Sequence, residues 1–392
     1  MRRTPIAHLV FPRPNLLRPV SEFAWDAAAV MAAERGFDLE VLMPVPVEAA
    51  RRLASLSRGL RGATPWPEGF DARLVELEPK PTLVPYLPLP RRSIEAATAA
   101  VSALLVARRR AQRPAVLHGS FLDEGGFVAA MAARAIGASS IAVAHGTDVE
   151  MARSVAGGDG GRRRRALATL KHASEIIAVS QHLAGQVALL GRTAEIIRFT
   201  VRPERFAVTR PPAGSPELLF VGRLSKAKGV DVLLEALPRL ARRDARLSLI
   251  GAATGELDVA EEARRLEITD RVQILGELAH EALPAHYQRC SLLVLPSRRE
   301  GFGNVMVEAL LSGRPVVATD SGGPAELITP HNGRLVPPGD PAALARAIDE
   351  VLARRDAFQP EALRSSAEPF TWKEMAPKLA RLTWRRAEAS AE

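Results

Sequence analysis

Three observations on the sequence predict an α/β protein built from two doubly wound domains. Short apolar runs with the character of buried strands alternate with helical-period segments along most of the chain, the pattern of parallel sheets flanked by helices. A length of 392 residues suits two domains at about 100–200 residues each. Apolar patterning then stops over R-P-P-A-G-S-P at 210–216, a linker by composition. The expected division is 1–210, 211–370 and a separate terminal helix over 371–392.

In chain order, I-A-H-L-V-F at 6–11 reads as a buried strand and 12–19 as a loop holding Arg13 and Arg18. Ser21 caps a helix that stops at Gly36, and 39–43 is the second strand, giving a βαβ start. No glycine occurs over 6–35, so the G-x-G-x-x-G of a nicotinamide site is missing at its diagnostic position. Residues 44–90 are proline-rich, read as a helix over 48–60 and then extended segments; 93–110 is an alanine-rich helix with a basic end, as the helix dipole favours. A-V-L-H at 115–118 is a strand, 119–126 its loop and 127–135 its helix. The next strand ends in H-G-T-D at 145–148, at the carboxyl edge where α/β ligand sites form. A glycine-rich loop over 151–161 leads through Arg162, Arg163, Arg164 and Arg165 into a helix; strand 175–180, helix 181–190 and strand 195–199 close the first half.

Beyond the linker, L-L-F-V at 218–221 is a strand, followed by the loop G-R-L-S-K-A-K-G at 222–229 and a helix over 231–242. The loop lacks the G-K-[ST] end of a Walker A sequence. Strands over 246–251 and 271–277 and a short helix at 283–287 precede the stretch that organises the half, P-S-R-R-E-G-F-G-N-V-M-V-E-A-L-L-S-G-R-P at 296–315. An apolar run, a loop with Gly301 and Gly303, and a helical period starting near Asn304 make a strand, turn and helix start suited to an anion. Glu300 and Glu308 bracket that turn, and carboxylates accept hydrogen bonds without donating, which suits a hydroxyl-rich ligand. Strand 315–318, S-G-G-P-A-E at 321–326, N-G-R-L-V at 332–336 and a helix over 341–354 follow.

These segments, in order, resemble the retaining glycosyltransferases of the GT-B fold, the group 1 or family-4 type. The resemblance rests on the E-x7-E spacing of Glu300 and Glu308, on G-R-x-x-x-x-K-G at 222–229 and on H-G-T-D at 145–148; it is continuous from Glu217 to about Arg355 and looser before. It implies two Rossmann-like domains facing across a cleft, the nucleotide-sugar donor on the second and the acceptor on the first, with the last helix crossing back. By that likeness Arg223 and Lys228 clasp the donor diphosphate, Glu308 takes ribose hydroxyls, Glu300 takes sugar hydroxyls and His145 reaches the sugar or the reaction centre. The remaining donor-binding positions are Gly222, Gly301, Phe302, Gly303, Asn304 and Val305. The implied reaction moves a hexosyl unit with retention from a substrate such as a UDP- or GDP-hexose to a lipid-linked, polysaccharide or small-molecule acceptor, with no cofactor and no metal. A sugar-nucleotide 2-epimerase of the same fold is one alternative. A catalytically idle nucleotide-sugar-binding protein is another, since the loops after Phe11, Phe199 and Gly251 depart from the family pattern.

Composition narrows the partners. The net charge of +9 is uneven: residues 1–210 hold 29 Lys+Arg against 19 Asp+Glu, clustered at Arg51-Arg52, Arg58, Arg61, Arg91-Arg92, Arg108-Arg109-Arg110, Arg113 and 162–165. With aromatics at 5% and no nucleic-acid module, nucleic-acid binding is not expected. The clusters fit an anionic membrane surface or a phosphate-bearing acceptor, or else solvated faces. No apolar run approaches the roughly 18–20 residues of a membrane span, and 6–11 is too short for a signal-peptide core. The expected location is therefore the cytoplasm, with peripheral contact at the inner membrane face. Cys290, the one cysteine, excludes an internal disulfide and reads as a small buried residue, and no carboxylate or His/Cys cluster has metal-ligand spacing.

Overall fold

The computed structural model describes strands at Ile6–Val10, Asp38–Pro46 and Thr82–Tyr86, and residues 93–108, 115–154, 160–198, 201–210 and 214–390. The expected helices over 21–36 and 48–60, Arg13, Arg18, and the clusters at Arg51-Arg52, Arg58, Arg61, Arg91-Arg92, Arg109-Arg110 and Arg113 lie outside the described residues. The chain forms two compact units, one of Met1–Phe199 with Met375–Glu392 and the other of Thr200–Glu374.

Unit 1 holds a parallel sheet of β1 (Ile6–Val10), β2 (Asp38–Pro46), β3 (Thr82–Tyr86), β4 (Ala115–Ser120), β5 (Ser139–Ala144), β6 (Glu175–Ala178) and β7 (Glu195–Ile196), in the order β3-β2-β1-β4-β5-β6-β7. Strand β3 falls within the proline-rich stretch read as extended segments. Pro85 breaks the pattern there, and proline is tolerated because β3 is an edge strand. Helices α1 (Ser93–Arg108) and α2 (Gly126–Ile136) pack with β4 around Val101, Leu105, Leu117, Val128 and Ala132. Two expected loops are helical instead. The 119–126 segment becomes a π-helical turn, Phe121–Gly125, running straight into α2. In the 151–161 segment both ends are helical, in α3 (Thr147–Arg153) and the start of α4 (Gly160–His172), while 155–159 lie outside the described residues. Arginines at a helix start oppose its dipole, and here ion pairs from Arg162 to Asp123 and from Arg165 to Glu95 offset that. Helix α5 (Gln181–Ala188) is capped by the Ser180 hydroxyl, which accepts from Leu183 N–H.

Unit 2 repeats the plan with β8 (Glu217–Val221), β9 (Arg246–Ile250), β10 (Val272–Gly276), β11 (Leu292–Leu295), β12 (Val316–Thr319) and β13 (Gly333–Val336), parallel in the order β10-β9-β8-β11-β12-β13. The central strands β11 and β12 are buried throughout, which explains their unbroken apolar runs. Around them lie α6 (Val230–Ala236), α7 (Val259–Arg265), α8 (Leu283–Arg289), α9 (Asn304–Leu311), α10 (Pro341–Ala353) and α11 (Pro360–Ala367). Helix α6 is shorter than the expected 231–242 because Pro238 turns its end into a 3-10 segment.

Unit 2 begins ahead of the proline-rich linker because two arginines hold 201–210 to it. Arg314, fully buried, donates to Thr209 O (2.5 Å), Thr209 Oγ1 (2.6 Å) and Gln288 O (2.6 Å). Arg364 donates to Phe206 O (2.6 Å), Pro203 O (3.0 Å) and Leu311 O (2.8 Å). The last helix, α12 (Trp372–Ala389), passes from unit 2 into unit 1 at Met375. In unit 1 its Thr383 meets His118 at 3.2 Å, Arg386 donates to Glu175 Oε1 (2.9 Å), and Ser390 Oγ accepts from Ser139 N–H (2.9 Å).

Candidate nucleotide-sugar site

In a doubly wound sheet, ligands bind outside the carboxyl ends of the strands where the strand order reverses. In unit 2 that point lies between β8 and β11, which bear the G-R-x-x-x-x-K-G loop and the E-G-F-G loop. The two loops are in contact. Arg298 N–H donates to Ala227 O at 3.0 Å, and Gly229, at φ +71°, passes so close that a Cβ there would sit 1.9 Å from Pro296 O. Only glycine permits that approach.

Lys228 and Glu300 meet across this junction, Nζ to Oε2 at 2.7 Å, and Ser297 Oγ donates to the same oxygen at 3.2 Å. Ser297 is held in turn by Thr319 Oγ1, which donates to its carbonyl at 2.5 Å. Glu300 is also fixed through its backbone: its N–H reaches Ser321 O at 3.2 Å and its carbonyl accepts from Gly323 N–H at 3.0 Å. Arg223 is exposed on the β8 loop beside half-buried Gly222. Phe302 is buried against Phe370, ring centroids 5.7 Å apart, and anchors the loop between half-buried Gly301 and Gly303. Gly303 precedes α9 at φ +93°, a left-handed entry that turns Asn304 and Val305 into the helix start.

Glu308 occupies a different setting. Its side chain is 6% exposed, and both oxygens have protein partners: Tyr287 O–H donates to Oε2 at 2.6 Å and His280 Nε2 lies 3.1 Å from Oε1. Burial pushes the Tyr287 hydroxyl well above its usual range, so it stays protonated and donates. Arg205 Nη1 stands 3.1 Å from His280 Nδ1. A guanidinium has only donors, so Nδ1 accepts and the imidazole proton sits on Nε2, aimed at Glu308; the hydrogen-bond network assigns the tautomer. Phe206 packs edge-on against both the His280 and Tyr287 rings, at 6.3 and 5.8 Å. Sequence reading left aside Arg205, His280, Tyr287 and Ser297, none of which belongs to a recognisable spacing.

In unit 1 the order reverses between β1 and β4, and the described residues at that edge come from β4 and β5. His145 follows β5 directly. Asp148, fully buried, sets its turn by accepting from the N–H groups of His145 (3.0 Å), Gly146 (2.8 Å) and Leu122 (2.8 Å). Burial raises the Asp148 carboxyl above its ordinary value in spite of those three donors. The His145 ring stacks on Phe121 at 4.3 Å, and burial lowers its pKa to about 4, leaving it neutral at pH 7. Phe121 holds φ +61°, an uncommon left-handed value for an aromatic residue. His118, one strand over, is lowered to about 3 by burial and is bound to Thr383, a structural place inside the unit.

Among the described residues no group of three or more His, Cys, Asp and Glu is placed to hold a metal ion, and no helix is long and apolar enough to cross a membrane. Cys290 is buried, its thiol pushed up to about 12.

Residues 201–368 match the family described as glycosyl transferases group 1. Glycogen synthase of Mycobacterium tuberculosis is 36% identical over 183 residues, 45% of this chain and 44% of that protein. D-inositol 3-phosphate glycosyltransferase of Geodermatophilus obscurus is 37% identical over 167 residues, 40% of this chain and 37% of that protein. The chain thus matches less than half the length of these curated relatives. Among solved structures, sucrose-phosphate synthase from Thermosynechococcus elongatus superposes with a TM-score of 0.77 at 20% identity, covering 98% of this chain and 100% of that one. Anabaena Alr3699/HepE in complex with UDP and glucose gives 0.70 at 19% identity, covering 98% and 99%. The chain has the GT-B fold, and its residues 201–368 match the family model of the glycosyl transferases group 1.

Proposed function

We propose that this chain is a glycosyltransferase that takes a nucleotide-sugar donor at the β8–β11 switch point of unit 2 and transfers its hexosyl unit, with retention, to a hydroxyl of a glycan or lipid-linked acceptor. The carrying observation is the meeting of Lys228 with Glu300 at that switch point on glycine-permitted backbone, with the exposed cation Arg223 on the same β8 loop as Lys228. Transfer separates charge: the nucleoside diphosphate leaves as an anion while the sugar becomes oxocarbenium-like. Arg223 and Lys228 oppose the developing negative charge, and removing one preorganised donor of this kind costs about 3–4 kcal/mol of barrier. Two groups already share Oε2 of Glu300, so Oε1 is the oxygen to accept a sugar hydroxyl. Glu308 takes ribose hydroxyls, and backbone near Gly301 and Gly303 approaches the sugar.

His145, neutral at pH 7, orients the sugar or the acceptor hydroxyl. A front-face displacement requires no covalent nucleophile, and the two cations serve the diphosphate in place of a metal. The basic excess of residues 1–210 suits an anionic acceptor or a peripheral stay at an anionic membrane, at the cytoplasmic face. The H-G-T-D and G-R-x-x-x-x-K-G segments favour transfer over 2-epimerisation and over binding alone. The test is incubation of the protein with UDP- and GDP-hexoses, with and without a glycan and lipid extract. Acceptor-dependent release of nucleoside diphosphate and an α-configured product from an α-linked donor are expected. Sugar interconversion without an acceptor would indicate the epimerase, and no turnover a binding protein.

A further inference from the structure

The group that meets Glu308 at one oxygen, His280, comes from the loop after β10, while Tyr287 at the other comes from α8 and Arg205 from the 201–210 segment. These elements converge on one carboxylate. A buried carboxylate with a single partner can rotate about its last torsion, whereas one held at both oxygens has its plane set. Each oxygen has two lone-pair directions, so one donor at each leaves the second direction for a ligand hydroxyl. The arrangement is asymmetric. Tyr287 is fully buried, while the His280 side chain is 27% exposed.

We infer that His280, with Tyr287, is a positioning residue that sets the Glu308 carboxylate for the ribose diol of the donor, and that Arg205 fixes the imidazole so that its Nε2 proton points to that carboxylate. This rests on the reading of unit 2 as the donor site. The chain of contacts runs Arg205, His280, Glu308, and its far end belongs to the segment held by Arg314 and Arg364. Recognition of the ribose is therefore tied to the packing of residues 201–210, while Arg223 and Lys228 on the β8 loop serve the diphosphate separately.

The distinction gives the test. Calorimetric affinities are measured for UDP, GDP and ADP, and the best binder is compared with its 2′,3′-dideoxy analogue, in the wild type and in His280→Ala, His280→Gln and Tyr287→Phe. The wild type is expected to prefer the ribose form by at least about tenfold, the size of one hydrogen bond to a charged group. In His280→Ala and Tyr287→Phe the preference drops to about twofold or less, with affinity for the dideoxy form unchanged within about twofold. His280→Gln, whose amide N–H reaches toward the same oxygen, retains most of the preference. A purely structural role would weaken both nucleotides alike. Should Tyr287→Phe fail to fold, His280→Ala, at a partly exposed side chain, carries the comparison. An unchanged ribose preference in His280→Ala overturns the inference and leaves the donor site standing; absence of binding by any nucleotide to the wild type removes the donor site and the inference with it.

Discussion

At the switch point of unit 2 one cation is exposed, the other is held by a single carboxylate, and the backbone is drawn close by glycine. At the corresponding edge of unit 1, three ionisable groups among the described residues are engaged in holding the edge itself. Asp123 is fully buried and bound by Arg162 at 2.6 Å, Asp148 is saturated by three backbone N–H groups, and His145 is neutral against an aromatic ring. Charge left accessible at a sheet edge is available to an anionic ligand; charge consumed by the backbone shapes a rigid frame around one uncharged side chain. On the proposed function, the described parts of two sheets of the same parallel plan divide the work, one offering charge and the other offering shape.

The division predicts different responses to acid. His118 in unit 1 is depressed from 6.5 to about 3 and His145 to about 4. For a base whose folded pKa lies below its unfolded value, the unfolded state binds more protons between the two, so stability is full above pH 6.5 and falls as pH falls toward the folded pKa. His118, 5% exposed, removes about 4–5 kcal/mol from unit 1 between pH 6.5 and 3, and His145 adds loss from 6.5 to 4. Asp148 has the opposite sign, since its raised folded pKa favours the neutral form, and offsets part of the loss at the acid end. Hydrogen exchange resolved by unit should show this slope in unit 1, flattened in His118→Asn. An equal slope in the variant would break the comparison.

Backbone substitutions sharpen it from the other side. Gly229→Ala places a Cβ against Pro296 O at a positive φ and should cost unit 2 about 2–5 kcal/mol in chemical denaturation, together with nucleotide affinity. Gly185 in α5 has nothing within 4 Å of its Cβ position, and Gly185→Ala should gain about 0.5–1 kcal/mol through helix propensity. The smallest effect belongs to Arg264→Ala: its pair with Glu261 is 63% exposed on both sides, and the change should stay within about 0.5 kcal/mol.

Much of the fold was legible because parallel strands buried on both faces leave unbroken apolar runs such as 292–295 and 316–318, and because glycine loops follow them. Strand β3 was legible only as an unbounded extended segment because an edge strand tolerates the proline that marks a loop elsewhere, and the helical turn at Phe121 escaped because a π-helix has no composition of its own. The resemblance brought Lys228 and Glu300 to one site in separate roles, and their direct contact follows from the two loops leaving neighbouring strands, which no spacing announces. The surroundings of Glu308 were not: Arg205, His280 and Tyr287 share no spacing with it, and only packing brings them to one carboxylate. Unit 2 starts at Thr200 for a similar reason, two arginines far along the chain whose partners no local pattern announces.

The central claim, an anion-binding donor site at the β8–β11 switch point, is tested most directly by calorimetric titration of UDP, GDP and ADP into the wild type and Arg223→Ala. Arg223 is exposed, so the substitution leaves the fold in place. Micromolar binding of one nucleotide, weakened about tenfold or more in the variant, is predicted. Equal affinity in both proteins, or no binding of any of the three to the wild type, would contradict it.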